Sequence, residues 1–193
     1  SAPSTLTSSS LNFSASGLAA IWAESNTREA IFAALRRKET YATSGTRIRV
    51  RFFAGSFPKD LAERDDSVAV ADAEGVTMGG DLVVEGPEPP DFFIWAVRDP
   101  NSAPLDRVQV IKGWVTSGEA RERIYDVVCS DGRRPDPGTW RCEDSGAEVD
   151  LSDCGISAEV GAAELQTVWR DPDFDAESEA FYYARVLENP TCR

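Results

Sequence analysis

The spacing of apolar positions along the chain changes once, early. In SNTREAIFAALRRKE, Ala30, Ile31, Ala34 and Leu35 recur at the three- and four-residue spacing of a helical face. Asn26 stands where a side-chain cap would meet the free N–H groups of the first turn, and Glu29 can reach back to it as in a capping box. Arg36, Arg37 and Lys38 crowd the last turn, where cations offset the helix dipole. After a turn at Thr43, Ser44 and Gly45 the period shortens to two: Ile48, Val50 and Phe52 alternate with Arg47, Arg49 and Arg51, the pattern of a half-buried strand. The arginine face is read as solvated or paired with acidic neighbours, ahead of anion binding.

Beyond Phe53 the pattern predicts short strands: SVAVAD, VTM, LVVEG, DFFIWAVR, RVQVIKGWV, RERIYDVV, AAELQTVWRD and AFYYARVLE. They are rich in Val, Ile and aromatics and bounded by Gly, Pro and Asp clusters such as EGPEPPD. The expected fold is mainly β, an antiparallel β-sandwich-like domain preceded by a helix-strand unit. The expected organisation is a small-polar linker or boundary of an expressed piece at 1–20, the helix and strand at 21–53, and the β-sandwich-like domain at 54–193 with a cysteine-rich loop at 129–154. A meander of the strands near 121–128, 164–170 and 181–187 would make the first and third parallel and bring all the cysteine sulfurs to one rim.

Composition removes whole classes of chemistry. Lys+Arg 20 against Asp+Glu 33 leaves a net charge of -13, which repels phosphate backbones, so nucleic acid is not expected as a partner. No apolar run approaches the length of a membrane span, and insertion is not expected. With His 0, neither a Ser-His-Asp nor a Cys-His nucleophile can be assembled. Carboxylate chemistry survives, and Asp171 and Asp173 in WRDPDFD have a suggestive spacing; an Asx turn followed by proline explains the same residues without chemistry.

Cys129, Cys142, Cys154 and Cys192 lack the close pairing of a zinc site or a redox motif. An even number of cysteines in a polar, Pro- and Gly-rich loop predicts two disulfides, with the pairing left open, and an oxidising compartment, secreted or periplasmic. The acidic residues of the loop, Asp131, Asp136, Glu143, Asp144, Glu148, Asp150 and Asp153, do not hold an EF-hand register and are read as a solvated face, with no metal ligand expected. Of the tryptophans, Trp95, Trp114 and Trp169 sit in apolar strands and are expected in the core, while Trp140 is expected as an exposed ring. With Tyr182, Tyr183 and the acidic loop, Trp140 supports an alternative function, a polysaccharide- or protein-binding β-sandwich module.

The segments IWAESNTREAIFAALRRKETYATSGTRIRVRFF, VTMGGDL, LDRVQVIKGWV, DVVCSDGRRPDP and ELQTVWRDPDFDAESEAFYYARVLENPTCR resemble the C-terminal portion of the bacterial domain of unknown function 3604 family. That family is similar to the polymerase and histidinol phosphatase type of metal-dependent hydrolases. The resemblance implies a larger parent whose divalent-metal barrel, often a phosphoesterase, lies upstream. The helix-strand unit would then be the last piece of that α/β barrel, and Thr43, Ser44 and Arg47 would border the parent's active-site mouth. The present chain would be its non-catalytic β-rich domain, with no catalytic or cofactor-binding residue of its own, the upstream barrel as partner, and a dimer through the barrel-facing surface when the barrel is missing.

Overall fold

The computed structural model describes residues 17–192. The first unit is a hairpin interrupted by a helix: strand β1 (Leu18–Ile21) pairs antiparallel with β2 (Thr40–Thr43), and α1 (Arg28–Arg37) links them. The cap of α1 is Thr27, not the expected Asn26; its Oγ1 accepts the Ala30 N–H at 3.3 Å, so the helix starts one residue later. Lys38 closes the helix in the left-handed region, its N–H bonded to the last-turn carbonyls of Ala34 and Leu35. Ala34 is buried as the helical spacing predicts, but Leu35 is 49% and Phe32 60% exposed.

β3 (Arg49–Gly55) opens the larger body. A short 3-10 turn (Leu61–Glu63) and α2 (Ser67–Glu74) lead to the short β4 (Val76–Thr77), followed by β5 (Asp91–Val97), β6 (Leu105–Thr116) and β7 (Glu119–Cys129). A small hairpin of β8 (Val149–Asp150) and β9 (Gly155–Ile156) precedes β10 (Glu164–Arg170) and β11 (Ala180–Glu188). The order in one sheet is β10, β5, β3, β4, and in the other β11, β6, β7, all antiparallel. The sequence pattern gave the mainly β class correctly.

The core lies between the two sheets. Phe92, Ile94, Leu165 and Trp169 from the first meet Val108, Val110, Tyr125 and Val127 from the second. A second cluster, Phe53, Phe57, Leu61, Ala71 and Phe93, fills the outer face of the four-stranded sheet beneath α2. β3 therefore buries residues on both faces, Val50 and Phe52 toward the sandwich and Phe53 toward α2. Of the β3 arginines, Arg51 meets Asp72 of α2 at 2.6 Å and lies over Trp22, while the exposed Arg49 lies over the Trp95 ring with no acidic partner among the described residues.

Three expectations are corrected. SVAVAD is the helix α2, because alanine and the adjoining Ala-Glu favour a helix and the apolar cluster beneath takes Ala71, Val68 and Val70 from one turn to the next. LVVEG forms no strand; Val83 is 84% exposed, and the chain has already left the sheet edge at the turn where Gly80 donates to the Thr77 carbonyl. The strands after residue 120 are no meander. The long loop after β7 carries β10 across to pair with β5, while β7 and β11 flank β6, hydrogen-bonded on its two sides. Both are antiparallel to β6 and hence parallel to each other. Their C-terminal ends do meet at one end of the sheet, with Cys129 opposite Arg107 and Glu188 opposite Leu105.

The β6–β7 hairpin closes in two residues, Ser117 and Gly118, with φ 53° and 78°. Two successive positive values make the tight turn whose twist matches the flanking strands. Residues 1–16 of the expected linker lie outside the described residues, and Leu18–Ile21 belong to β1. Among the described residues, no helix is long and apolar enough to cross a membrane.

Candidate functional site

The sandwich is closed on one side and open on the other. Where β7 and β10 approach, the cysteine loop covers the gap: Asp126 N–H donates to the Trp140 carbonyl at 2.9 Å, and the Trp140 ring stands edge-on to Tyr125 and Trp169. On the opposite side β11 and the β3–β4 pair diverge around a cleft of about 1030 Å³. Its floor is Phe52, Phe92 and Tyr182, with Phe92 and Tyr182 ring centroids 4.5 Å apart. Its rims are the loop at 78–84 and the loop at 174–179.

Tyr182 connects this cleft to a buried polar cluster. Its hydroxyl donates to Asp171 Oδ2 at 2.7 Å, and Lys112 Nζ donates to the same oxygen at 2.5 Å and to the Asp173 carbonyl at 2.6 Å. Tyr125 donates to Asp173 Oδ2 at 2.6 Å, and Arg123 pairs with that carboxylate from outside. Burial, reinforced by the hydrogen bonds to Asp171 and Asp173, pushes both phenols well above the ordinary tyrosine range. Asp171 Oδ1 accepts the Asp173 N–H at 2.9 Å, which is the Asx turn that the DPD sequence allowed. Asp171 is thus held by Lys112, the Tyr182 phenol and its own turn, and Asp173 by Arg123 and the Tyr125 phenol, an arrangement that locks the two sheets together.

Thr43, Ser44 and Arg47 lie in the β2–β3 turn. Thr43 Oγ1 donates to the Thr46 carbonyl at 2.5 Å and accepts the Gly45 N–H, and Arg47 N–H donates to Asp99 Oδ2 at 2.8 Å. The Asn101 and Arg47 backbone N–H groups hold the Asp99 carboxyl below the usual carboxylate range. Asp99 therefore fastens this turn to the segment after β5.

The cysteines form two disulfides, Cys129–Cys142 and Cys154–Cys192. Beneath the first, Asp126 is 2% exposed and accepts from Gln109 Nε2 at 2.6 Å and Cys142 N–H at 2.7 Å. Arg133 donates to Asp106 Oδ1 and to the Ser130 hydroxyl, each at 2.7 Å. The loop is tied down by charge as well as sulfur. Its acidic residues cap their own turns: Asp136 accepts from Gly138 and Thr139, Asp144 from Gly146, Asp150 from Ser152 and Asp153 from Gly155. Among the described residues, no three His, Cys, Asp or Glu side chains converge as metal ligands.

The aromatic platform is not assembled. Trp140 is partly buried, packed against the core and no free-standing exposed ring, because its loop crosses the sandwich side. Tyr182 and Tyr183 are neighbours on one strand and so point to opposite faces; Tyr183 stacks outside with Phe181 at 6.3 Å. Trp169 is core, as expected, and Trp95 packs partly buried on the cluster beneath α2.

Sequence reading passed over Lys112, Gln109 and Asp126. The signal was present: Gln and Lys inside the apolar run RVQVIKGWV require buried partners, and the carboxylates of RERIYDVV and WRDPDFD supply them. No curated protein and no solved structure matches the chain. A family profile does match it over residues 2–193, and the chain accordingly belongs to the family described as protein of unknown function DUF3604.

Proposed function

We propose that this chain is the non-catalytic, β-rich C-terminal domain of a larger exported hydrolase, of the metal-dependent phosphoesterase type, whose barrel and divalent metal lie upstream. The observation that carries the reading is α1. Phe32 and Leu35, one helical turn apart, are 60% and 49% exposed on a helix whose other side is already packed. An uncovered apolar pair on a helix at one flank is the surface a preceding domain would cover. The resemblance of IWAESNTREAIFAALRRKETYATSG to the end of such a barrel supports the same assignment, and the disulfides suit an exported protein. On this reading the turn holding Thr43, Ser44 and Arg47 faces the parent's active-site mouth, and copies of the isolated chain pair through α1.

The test compares this chain with the protein extended upstream, both supplied with manganese or zinc and an aryl phosphate ester. The expected result is turnover by the extended protein alone. Phe32→Asp with Leu35→Asp should loosen the extended protein, seen as new proteolytic cleavage before residue 18, while leaving the melting temperature of the isolated chain unchanged. Turnover by the isolated chain, or an extended protein indifferent to both substitutions, overturns the reading.

A further inference from the structure

β11 is an edge strand of nine residues, and β6 is the one strand paired with it among the described residues. The other long edge of the same sheet is treated differently in its second half: β7 receives the Trp140 carbonyl on its Asp126 N–H, and its buried C-terminal part is covered by the disulfide-bonded loop. Along an antiparallel edge, alternate residues direct N–H and C=O groups away from the partner strand, in the spacing that another strand would match. Proteins usually blunt such an edge with a bulge, a proline or an inward charge. From Ala180 to Leu187 the β11–β6 register is regular, and the segment holds no proline.

The surroundings of this edge define what it would accept. Asp81, Asp175, Glu177 and Glu179 stand exposed around the cleft at its side, against a single lysine, Lys38. None of the four carboxylates forms an ion pair among the described residues. On the outer face, Phe181 and Tyr183 form a stacked pair 61% and 42% exposed. Phe181 covers Gly113, where a Cβ would come within 2.2 Å of the ring, so the ladder lies flat on the sheet. A strand laid beside β11 would turn alternate side chains into the acidic cleft and the others toward this aromatic pair.

We propose that the β11 edge binds an extended polypeptide of alternating cationic and apolar residues, added as a fourth strand to its sheet. Backbone hydrogen bonds provide the affinity, the carboxylates select the cations, and Phe181 and Tyr183 take the apolar side chains. The inference stands on the edge and the charge around it, and does not depend on an upstream barrel.

The test uses a dye-labelled synthetic peptide of alternating lysine and valine, about seven residues long to match a strand. Fluorescence anisotropy with this chain should show saturable binding that weakens with salt. A peptide methylated at alternate backbone nitrogens along one edge should bind at least about tenfold more weakly, since it loses the donors that an added strand needs. The triple variant Asp175→Asn, Glu177→Gln, Glu179→Gln should lose affinity several-fold while its circular dichroism stays that of the parent chain. Binding of the methylated peptide as tight as that of the parent peptide, equal binding of a glutamate-valine peptide, or no binding at all overturns the proposal. So does a dimer of the Phe32→Asp, Leu35→Asp variant, whose α1 face is blocked, that the peptide does not dissociate.

Discussion

Lys112 Nζ and Asp171 Oδ2 lie 2.5 Å apart across the sandwich, with side-chain exposures of 6% and 0%. They join β6 of one sheet to the segment leaving β10 of the other. Replacing one partner strands the other in the core. Lys112→Met is therefore expected to destabilise by about 3–5 kcal/mol, whereas Lys112→Met with Asp171→Leu should recover part of that loss, the Tyr182 hydroxyl and the Asp173 N–H still losing their acceptor. Urea denaturation of the two variants decides it, and an additive double variant would refute the coupling.

The phenols of the same cluster make stability fall at high pH. Tyr125 and Tyr182 are held neutral, first by burial and then by their bonds to Asp173 and Asp171, so their folded values stand above the unfolded one. The native state keeps protons that the unfolded chain releases above about pH 10, and the associated stability is full below that point and declines above it. Tyr182→Phe should flatten the alkaline limb of the stability curve, and phenolate absorbance should show a fraction of the tyrosine ionising only on unfolding.

How far the sequence foretold this arrangement depended on locality. Helix α1 was legible because cap, face and dipole signals all sit within a dozen neighbouring residues, although the cap was off by one. β5, β6, β7, β10 and β11 were legible from their β-branched and aromatic runs. SVAVADAE was not, since an Ala-Val alternation suits a strand on one face or a helix over an apolar bed, and the bed of Phe53, Phe57 and Phe93 comes from elsewhere in the chain. Tyr182 and Tyr183 were a foreseeable error, because a strand separates adjacent side chains whatever its partners. The place of Trp140 could not be foreseen; it depends on β10 leaving the sheet of β7, which only the tertiary pairing fixes.

The two disulfides should respond differently to reductant. Cys129 is 5% exposed while Cys154 is exposed, so limiting dithiothreitol is expected to open Cys154–Cys192 first. Their separations of 13 and 38 residues correspond to about 3 and about 4 kcal/mol of unfolded-chain restriction. Peptide mapping after partial reduction and alkylation reads the order, and prior loss of Cys129–Cys142 would contradict it.

Gly79 has φ +82°, and a Cβ there would come within 2.4 Å of Lys38 Cβ. The loop at 78–84 thus rests directly on the end of α1, linking the cleft rim to the first hairpin. Gly79→Ala is expected to lower stability by about 1–3 kcal/mol through backbone strain and the contact together. Gly86, with φ +94° and open space around it, offers the control: its alanine variant carries the strain alone.

The cysteine pairs follow one another along the chain without interlacing, Cys129 with Cys142 and then Cys154 with Cys192. A polypeptide that emerges N-terminus first offers its thiols in that same order. An oxidant that joins each cysteine to the next one to appear would therefore produce the native set directly, with no pair to unscramble.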